Sequence, residues 1–379
     1  MDLVLLKHWY RLTSLHLNEC HDVTGRLVDF ITRHSTLVDL TCFVNITDLD
    51  LRRVCKEFSQ RQLTKLAIRS AVLTNSGLDY TSLLTELKDF SLADSSKIKS
   101  LESLSTNIQR LDIETCLRLR VLDLSKYPNL ESLKFSNIRP GFSVTNMFHC
   151  TKLTQLVPNH KCMIPLSILA NLRHFEISVN PTDPTEADKW LQHSSANLMQ
   201  IRTLVVRGME ETVTRFGDFP NLESLTLIGI QPKPYATIST LQHLTMLKIA
   251  YVICSGEGQL CCNLIHGIEK LTNLETLDLM ICQFPDLTNL TRLRSLKFSV
   301  ACRSLPPPSL FVDHVANIPK LALEKFHLSG VDVNDIRANI THLISQKTLL
   351  RELTIGGKSD SLIALKKLMQ RQTARVDVL

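Results

Sequence analysis

Long hydrophobic runs are missing from this chain. Residues 3–6 offer four apolar side chains before Lys7, too few for a secretory core. No later stretch reaches the roughly 18 uncharged apolar residues that a membrane span requires. The sequence therefore predicts a protein of the cytosol or nucleus that does not engage a membrane. Aromatic residues are scarce as well, at 6% of a chain that is 44% hydrophobic. That balance fits thin layers of Leu and Ile better than a bulky enzyme core. Cysteine is present at an odd count of 11, with no short disulfide-rich module around it, so reduced thiols are expected rather than a disulfide framework. A dominant charge is also absent. The 43 basic and 37 acidic residues leave a formal +6, spread without the basic stripe that nucleic acid demands.

Catalytic and ligand-binding signatures are equally wanting. No G-x-S-x-G and no H-E-x-x-H occurs. Gly356-Gly357-Lys358-Ser359 looks like the end of a phosphate-binding loop, but Glu352 stands where the pattern needs glycine; a turn into a last helix capped by Ser359 or Ser361 accounts for it. His149, Cys150, His160 and Cys162 are metal-ligand types, yet their spacing straddles an expected strand at 153–156, which argues against zinc. Cys261 and Cys262, with Cys254 nearby, read as packing on an outer helix. The sequons at Asn45, Asn289 and Asn339 are chance without a secretory leader. We expect no enzyme, no cofactor and no metal.

What the chain does contain is one pattern, L-x-x-L-x-L, returned along its whole length. Its middle apolar residue serves as anchor: Leu15, Leu40, Leu66, Phe90, Leu111, Leu133, Leu156, Phe175, Leu204, Leu225, Leu247, Leu277, Leu296, Phe326 and Leu353. Successive anchors lie 19 to 30 residues apart, a period of stacked supersecondary units. Within each motif residue types alternate, as in Leu122-Asp123-Leu124 and Leu277-Asp278-Leu279, so each run predicts a short strand with its leucines inward. Apolar spacing predicts outer helices over 23–33 and 48–58, and Asp183, Pro184 and Glu186 read as the start of another. Short arcs such as 284–287 leave room only for a turn. Five residues after each anchor, Asn or Cys would turn inward; Cys20, Asn45, Ser95, Cys116, Asn180 and Cys282 fit, whereas Ala71, Ile138, Val252 and Lys358 do not.

These repeats resemble the leucine-rich repeat superfamily. The arcs Cys20-His21-Asp22-Val23-Thr24, Asn45-Ile46-Thr47-Asp48-Leu49-Asp50-Leu51 and Leu73-Thr74-Asn75-Ser76-Gly77-Leu78 resemble its cysteine-containing type, found in F-box proteins. The resemblance implies an α/β solenoid, an irregular open horseshoe with one parallel sheet on the concave face and helices, 3₁₀ turns and loops outside. It would span 1–379 as a single domain of about fifteen repeats, with a lead-in at 1–11 and a capping helix and edge half-repeat at 359–379. The F-box branch further implies substrate recognition for a cullin-type ubiquitin ligase. Eleven residues before the first strand leave no room for an F-box, so the cullin adaptor becomes a partner only if that module lies outside this sequence. A free-standing scaffold or adaptor is the alternative, and a secreted receptor a third reading.

Binding is expected on the concave face, where residues beside each anchor point away from the core. The basic members are Lys65, Arg69, Arg110, Lys134, Arg207, Lys248, Lys297 and Lys325; the acidic ones are Asp39, Asp89, Asp112, Glu114, Glu176, Asp278 and Glu352. Eight against seven gives no single-sign field, and Phe43 alone is aromatic in these columns. The expected partner is a protein, not nucleic acid. The candidate contact residues are Arg69, Arg110, Asp112, Glu114, Lys134, Glu176, Arg207, Lys248, Asp278 and Lys297, with Asp112, Glu114, Lys134 and Glu176 at the centre.

Overall fold

The computed structural model describes residues 11–17, 24–34, 36–42, 45–139, 141–158, 169–178, 198–208, 219–229, 238–250, 267–281, 285–300, 321–329, 350–356 and 375–378. The chain divides into two compact units, Met1–Phe175 and Glu176–Leu379.

In the first unit the strands are β1 (Ser14–Leu17), β2 (Asp39–Cys42), β3 (Lys65–Arg69), β4 (Asp89–Ala93), β5 (Arg110–Glu114), β6 (Val121–Asp123), β7 (Ser132–Ser136), β8 (Ser143–Thr145) and β9 (Gln155–Val157). The division falls within β10 (His174–Ser178). The second unit carries β11 (Thr203–Arg207), β12 (Ser224–Ile228), β13 (Met246–Ala250), β14 (Thr276–Ile281), β15 (Ser295–Val300), β16 (Lys325–Ser329), β17 (Glu352–Gly356) and β18 (Arg375–Val378). Within each unit the main ladder is parallel and follows chain order, one strand per repeat, with anchor facing anchor: Leu40 opposite Leu66, Leu111 opposite Leu133, Leu225 opposite Leu247, Leu277 opposite Leu296. This is the leucine-rich-repeat solenoid that the period implies. The last strand, β18, sets Val376 against Leu353.

Register is enforced where each strand begins. Two successive N–H groups donate to one carbonyl of the preceding repeat: Thr64 and Lys65 to Val38, Gln109 and Arg110 to Lys88, Thr245 and Met246 to Glu223. The chain leaves the sheet through a residue at positive φ, supplied by Asp94, Thr115 and Asn137 in the first unit and by Gly208 and Gly229 in the second. Asp94 N then donates to Glu114 O and Thr115 N to Ser136 O, extending the ladder past the last strand residue.

The arcs build outward from this. Helix α1 (Thr24–Arg33) buries Val28, Phe30 and Ile31, and α2 (Asp48–Phe58) buries Leu51, Val54, Cys55 and Phe58. Thr47 and Asp50 close a capping box at the start of α2, satisfying donors that a helix end leaves open. A single helical turn, α3 (Asn75–Leu78), runs into a 3₁₀ segment, and further 3₁₀ turns stand at Ile238–Thr240 and Ile268–Lys270. The expected helix near 183–191 lies outside the described residues.

Two expectations need correction. Leu122-Asp123-Leu124 does not join the main sheet: β6 pairs with β8 in a separate two-stranded sheet, and Leu124 opens a 3₁₀ turn. Leu122 follows Leu111 by only half a repeat, so it falls on the outer arc, where the same alternation buries leucines from the other side. Asn45 is exposed rather than turned inward, although its Oδ1 accepts from Ala71 N at 3.3 Å. Ser70 takes the inward role there, buried and donating to Ile46 O at 2.7 Å. Ser95 and Cys116 are buried at the predicted positions, and Ser95 Oγ donates to Ser70 O at 3.0 Å.

Candidate functional site

The anchors point into the core, which leaves the residue on either side of each anchor to form the open face of the sheet. In the first unit the column before the anchors alternates in sign: Asp39, Lys65, Asp89, Arg110. Strand spacing of about 4.8 Å brings such neighbours within reach of each other. Lys65 Nζ lies 3.1 Å from Asp39 Oδ2, and Arg110 donates to Asp89 Oδ2. The Asp89 hydrogen bond raises the Arg110 pKa further, so that guanidinium is permanently charged.

The column after the anchors runs Thr41, Ala67, Ser91, Asp112, Lys134. Ala67 and Ser91 are too short to fill their share of the face, and a hollow results. Its floor is Ala67, Ser91 and Ser132; its walls are Lys65, Asp89, Arg110, Asp112, Lys134 and Gln155. Ser132 Oγ donates to Gln155 Oε1 at 2.9 Å and closes one end. Asp112 and Lys134 stand opposite each other in register without forming an ion pair. The Asp112 carboxyl has its pKa raised, first by loss of solvent on the crowded face and then by Glu114, while Lys134 opposes both. On the same face Asp89 Oδ1, Asp39 Oδ1 and Thr41 Oγ1 are sealed from solvent without a hydrogen-bond partner.

The ten candidate contact residues thus resolve into local groups. Arg110, Asp112 and Lys134 share the hollow. Arg69 and Glu114 neutralise each other, with Arg69 also 3.2 Å from Asp94. In the second unit Glu176 pairs with Arg207, and Asp278 sits between Lys248 at 3.3 Å and Lys297 at 3.9 Å. Cross-strand pairing is what sequence reasoning missed, together with the floor of the hollow. Both carried a signal: sign alternates before the anchors at Asp39, Lys65, Asp89 and Arg110, and small residues follow the anchors at Ala67 and Ser91. Phe43 lies outside the described residues.

Chemistry beyond binding finds little purchase on this face. Ser14 Oγ lies 2.8 Å from His16 Nε2, and the same nitrogen is 3.5 Å from Asp39 Oδ2. A nucleophile relay needs the hydroxyl and the carboxylate on opposite ring nitrogens, so this trio is not one. Cys55, Cys116 and Cys150 are free and buried; burial pushes their thiols up to about 12, 12 and 11, away from the thiolate that redox or metal chemistry uses. His149 is exposed beside buried Cys150, while residues 160 and 162 lie outside the described residues. Among the described residues no three His, Cys, Asp or Glu side chains gather to hold a metal ion.

No protein-family model and no curated protein matches this sequence. Solved structures of similar fold include a leucine-rich-repeat protein of Leptospira interrogans, at 15% identity and TM-score 0.45 over 97% of this chain and 93% of that one. The functional domain of InlJ from Listeria monocytogenes, which includes a cysteine ladder, is similar at 16% identity and TM-score 0.33, covering 92% and 75%. Mouse RP105, in its complex with MD-1, gives 13% identity and TM-score 0.42, covering 96% and 73%.

Proposed function

We propose that the open sheet face of the first unit recognises a protein partner, and that the hollow above Ala67 and Ser91 is where the partner's charged side chains dock. One observation supports this above the rest. Almost every charge on the face is answered by its neighbour across a strand, except at the hollow, where Asp112 and Lys134 are left without contact partners. A partner offering a basic group to Asp112 and an acidic group to Lys134 completes the ladder. Rigid strands hold both charges in place, so little ordering is required on binding.

Substrate delivery to a ubiquitin ligase is the finer form of this reading. The cysteine-type arcs at 45–51 and 73–78 support it, and an F-box-like segment encoded in frame beyond this sequence would strengthen it. Scaffolding is the alternative, favoured if the complete natural product recovers partners but never cullin-ligase subunits.

The binding test is a charge reversal. Asp112→Lys should weaken a verified partner by roughly 1 to 3 kcal/mol and make association more sensitive to salt, because like charges then meet across the interface. Folding should lose no more than about 1 kcal/mol, the scale of a like-charge cross-strand pair, because the new lysine stands opposite Lys134. Glu114→Lys is a poorer probe, because it also removes one of the two carboxylates that face Arg69. Unchanged affinity and on-rate for Asp112→Lys would move the recognition surface away from the hollow.

A further inference from the structure

A second hollow in the first unit lies off the sheet face, on the arcs that follow β4, β5 and β7. Lys99, Arg118, Arg120 and Arg139 line it, around a solvent-open volume of about 430 Å³. Among the described residues no acidic side chain contributes to the lining, and none of the four forms an ion pair or side-chain hydrogen bond. Elsewhere in the same unit many cations do face an acid of a neighbouring repeat, as Lys65 faces Asp39, Arg53 faces Asp29 and Arg110 faces Asp89.

The fold builds the cluster. Each of the three arcs starts from a residue at nearly the same positive φ: Asp94 at 52°, Thr115 at 52°, Asn137 at 51°. Identical exits stack corresponding arc positions, and Lys99 and Arg120 each stand five residues beyond that start. Their backbones are pinned. Lys99 N donates to Asn75 Oδ1 at 2.8 Å, Ser143 N to Arg120 O at 2.9 Å, and Phe142 N to Arg139 O at 3.3 Å. Ile98, Leu119 and Ile138, beside the cations in the chain, are buried and fix the stems from below. Like charges held together without a counter-charge cost stability, and a bound anion removes that cost.

We propose that Lys99, Arg118, Arg120 and Arg139 form a binding site for a phosphate monoester carried by a protein partner, a phosphoserine or phosphothreonine side chain. Three guanidinium forks and one ammonium match a dianion with three acceptor oxygens. The site is a single hollow rather than a track, and the sheet face alternates in sign, so a polyanionic strand finds no path to follow. Leu117 and Val121, 48% and 49% exposed, adjoin Arg118 and Arg120 in the chain and offer apolar surface to residues flanking the phosphate. The protein nature of the partner rests on the reading above; the anion site does not.

The test uses the full chain and four probes: inorganic phosphate, a peptide array with and without central phosphoserine or phosphothreonine, a single-stranded oligonucleotide, and phosphatidylcholine vesicles containing phosphatidylinositol phosphate. Phosphate should raise the melting temperature above chloride at equal ionic strength. Phosphopeptides should bind at least about tenfold tighter than their unphosphorylated twins, a difference of about 1.4 kcal/mol. Arg118→Glu/Arg120→Glu should abolish both effects, whereas Lys56→Glu, an exposed charge reversal on α2, should retain them. If the double variant fails to fold, Arg118→Gln and Arg139→Gln serve, each expected to lower phosphopeptide affinity several-fold. Asp112→Lys should leave phosphopeptide binding intact, which separates this site from the sheet face. Absence of phosphate-specific stabilisation, equal binding of both peptide sets, or undiminished binding by the Arg variants overturns the proposal. Binding of the oligonucleotide or the vesicles in place of the phosphopeptides overturns it too.

Discussion

At Gly77 the fold has room for a hydrogen and nothing larger. A Cβ there would lie 2.4 Å from Asp48 Oδ1, 2.8 Å from Leu73 Cδ1 and 3.0 Å from the Asp48 Cα. Asp48 cannot retreat cheaply, because its carboxylate accepts from Thr74 N at 2.8 Å and from Thr74 Oγ1 at 2.5 Å, tying α2 to the next arc. Gly77→Ala should therefore destabilise the protein by about 1 to 3 kcal/mol, the usual range for overpacking, measured as a fall in the urea midpoint at unchanged slope. Gly141 is the contrasting case. It sits at φ 84° with nothing within 4 Å of an added Cβ, so Gly141→Ala meets backbone strain alone. Two glycines are thus fixed by different physics, one by a neighbour and one by its own dihedral.

Between elements, the repeats are stitched by a row of asparagines that stand four residues before the anchor. Asn107, Asn171, Asn221 and Asn273 donate through Nδ2 to the carbonyls of Thr85, Thr151, Met199 and Gln242, at 2.8, 2.7, 2.8 and 2.7 Å. Each acceptor lies in the preceding repeat. Asn221→Ala should cost about 0.5 to 1.5 kcal/mol, the net worth of one such bond, and amide exchange should quicken first around 198–204 and 221–225. In the sequence this row reads N-x-x-x-L, or N-x-x-x-F at Asn171, ahead of the anchor, whereas the inward ladder expected after the strand is only partly filled, by Ser70, Ser95 and Cys116. Helix α2 was legible to its ends from the apolar spacing over 48–58, and the Thr47–Asp50 capping box adds the local reason for its start. Strand β6 was not, since alternation reports which way leucines face and not which sheet they join.

For the molecule as a whole, periodicity was enough to read the architecture. Among the described residues, each strand of the main ladder pairs with the strands of adjoining repeats, so local pattern and fold are nearly the same information. Charge was less readable. Whether Glu176 or Arg110 is available to a partner depends on what stands one strand away, a relation between residues 19 to 31 positions apart that no local motif displays. The same cross-strand electrostatics should show in the dependence of stability on pH. His327 lies opposite Lys297 in register, and burial, then Lys297, lowers its pKa, against Asp278 and Glu352. The folded state thus binds this proton less readily than the unfolded chain does. Stability attributable to His327 should be fully present above the unfolded imidazole pKa of about 6.5 and decline as pH falls through it toward the folded value. Thermal melts across that window should show the decline in the wild type and a shallower one in His327→Asn.

The doubly accepting carbonyl ahead of strands such as β3, β5 and β13 bears on how such a chain can grow. Because Val38, Lys88 and Glu223 each receive both incoming N–H groups of the next repeat, alignment is settled at that point, independently of how many residues the arc has spent reaching it. Arcs that bring the anchors back after 19 or after 30 residues arrive equally well placed. Insertions and deletions on the outer side are therefore nearly silent to the sheet, and whole repeats can be duplicated or lost as units. Lineages built on this chemistry can vary the length and decoration of the outer arcs while the spacing of the charges on the sheet stays fixed.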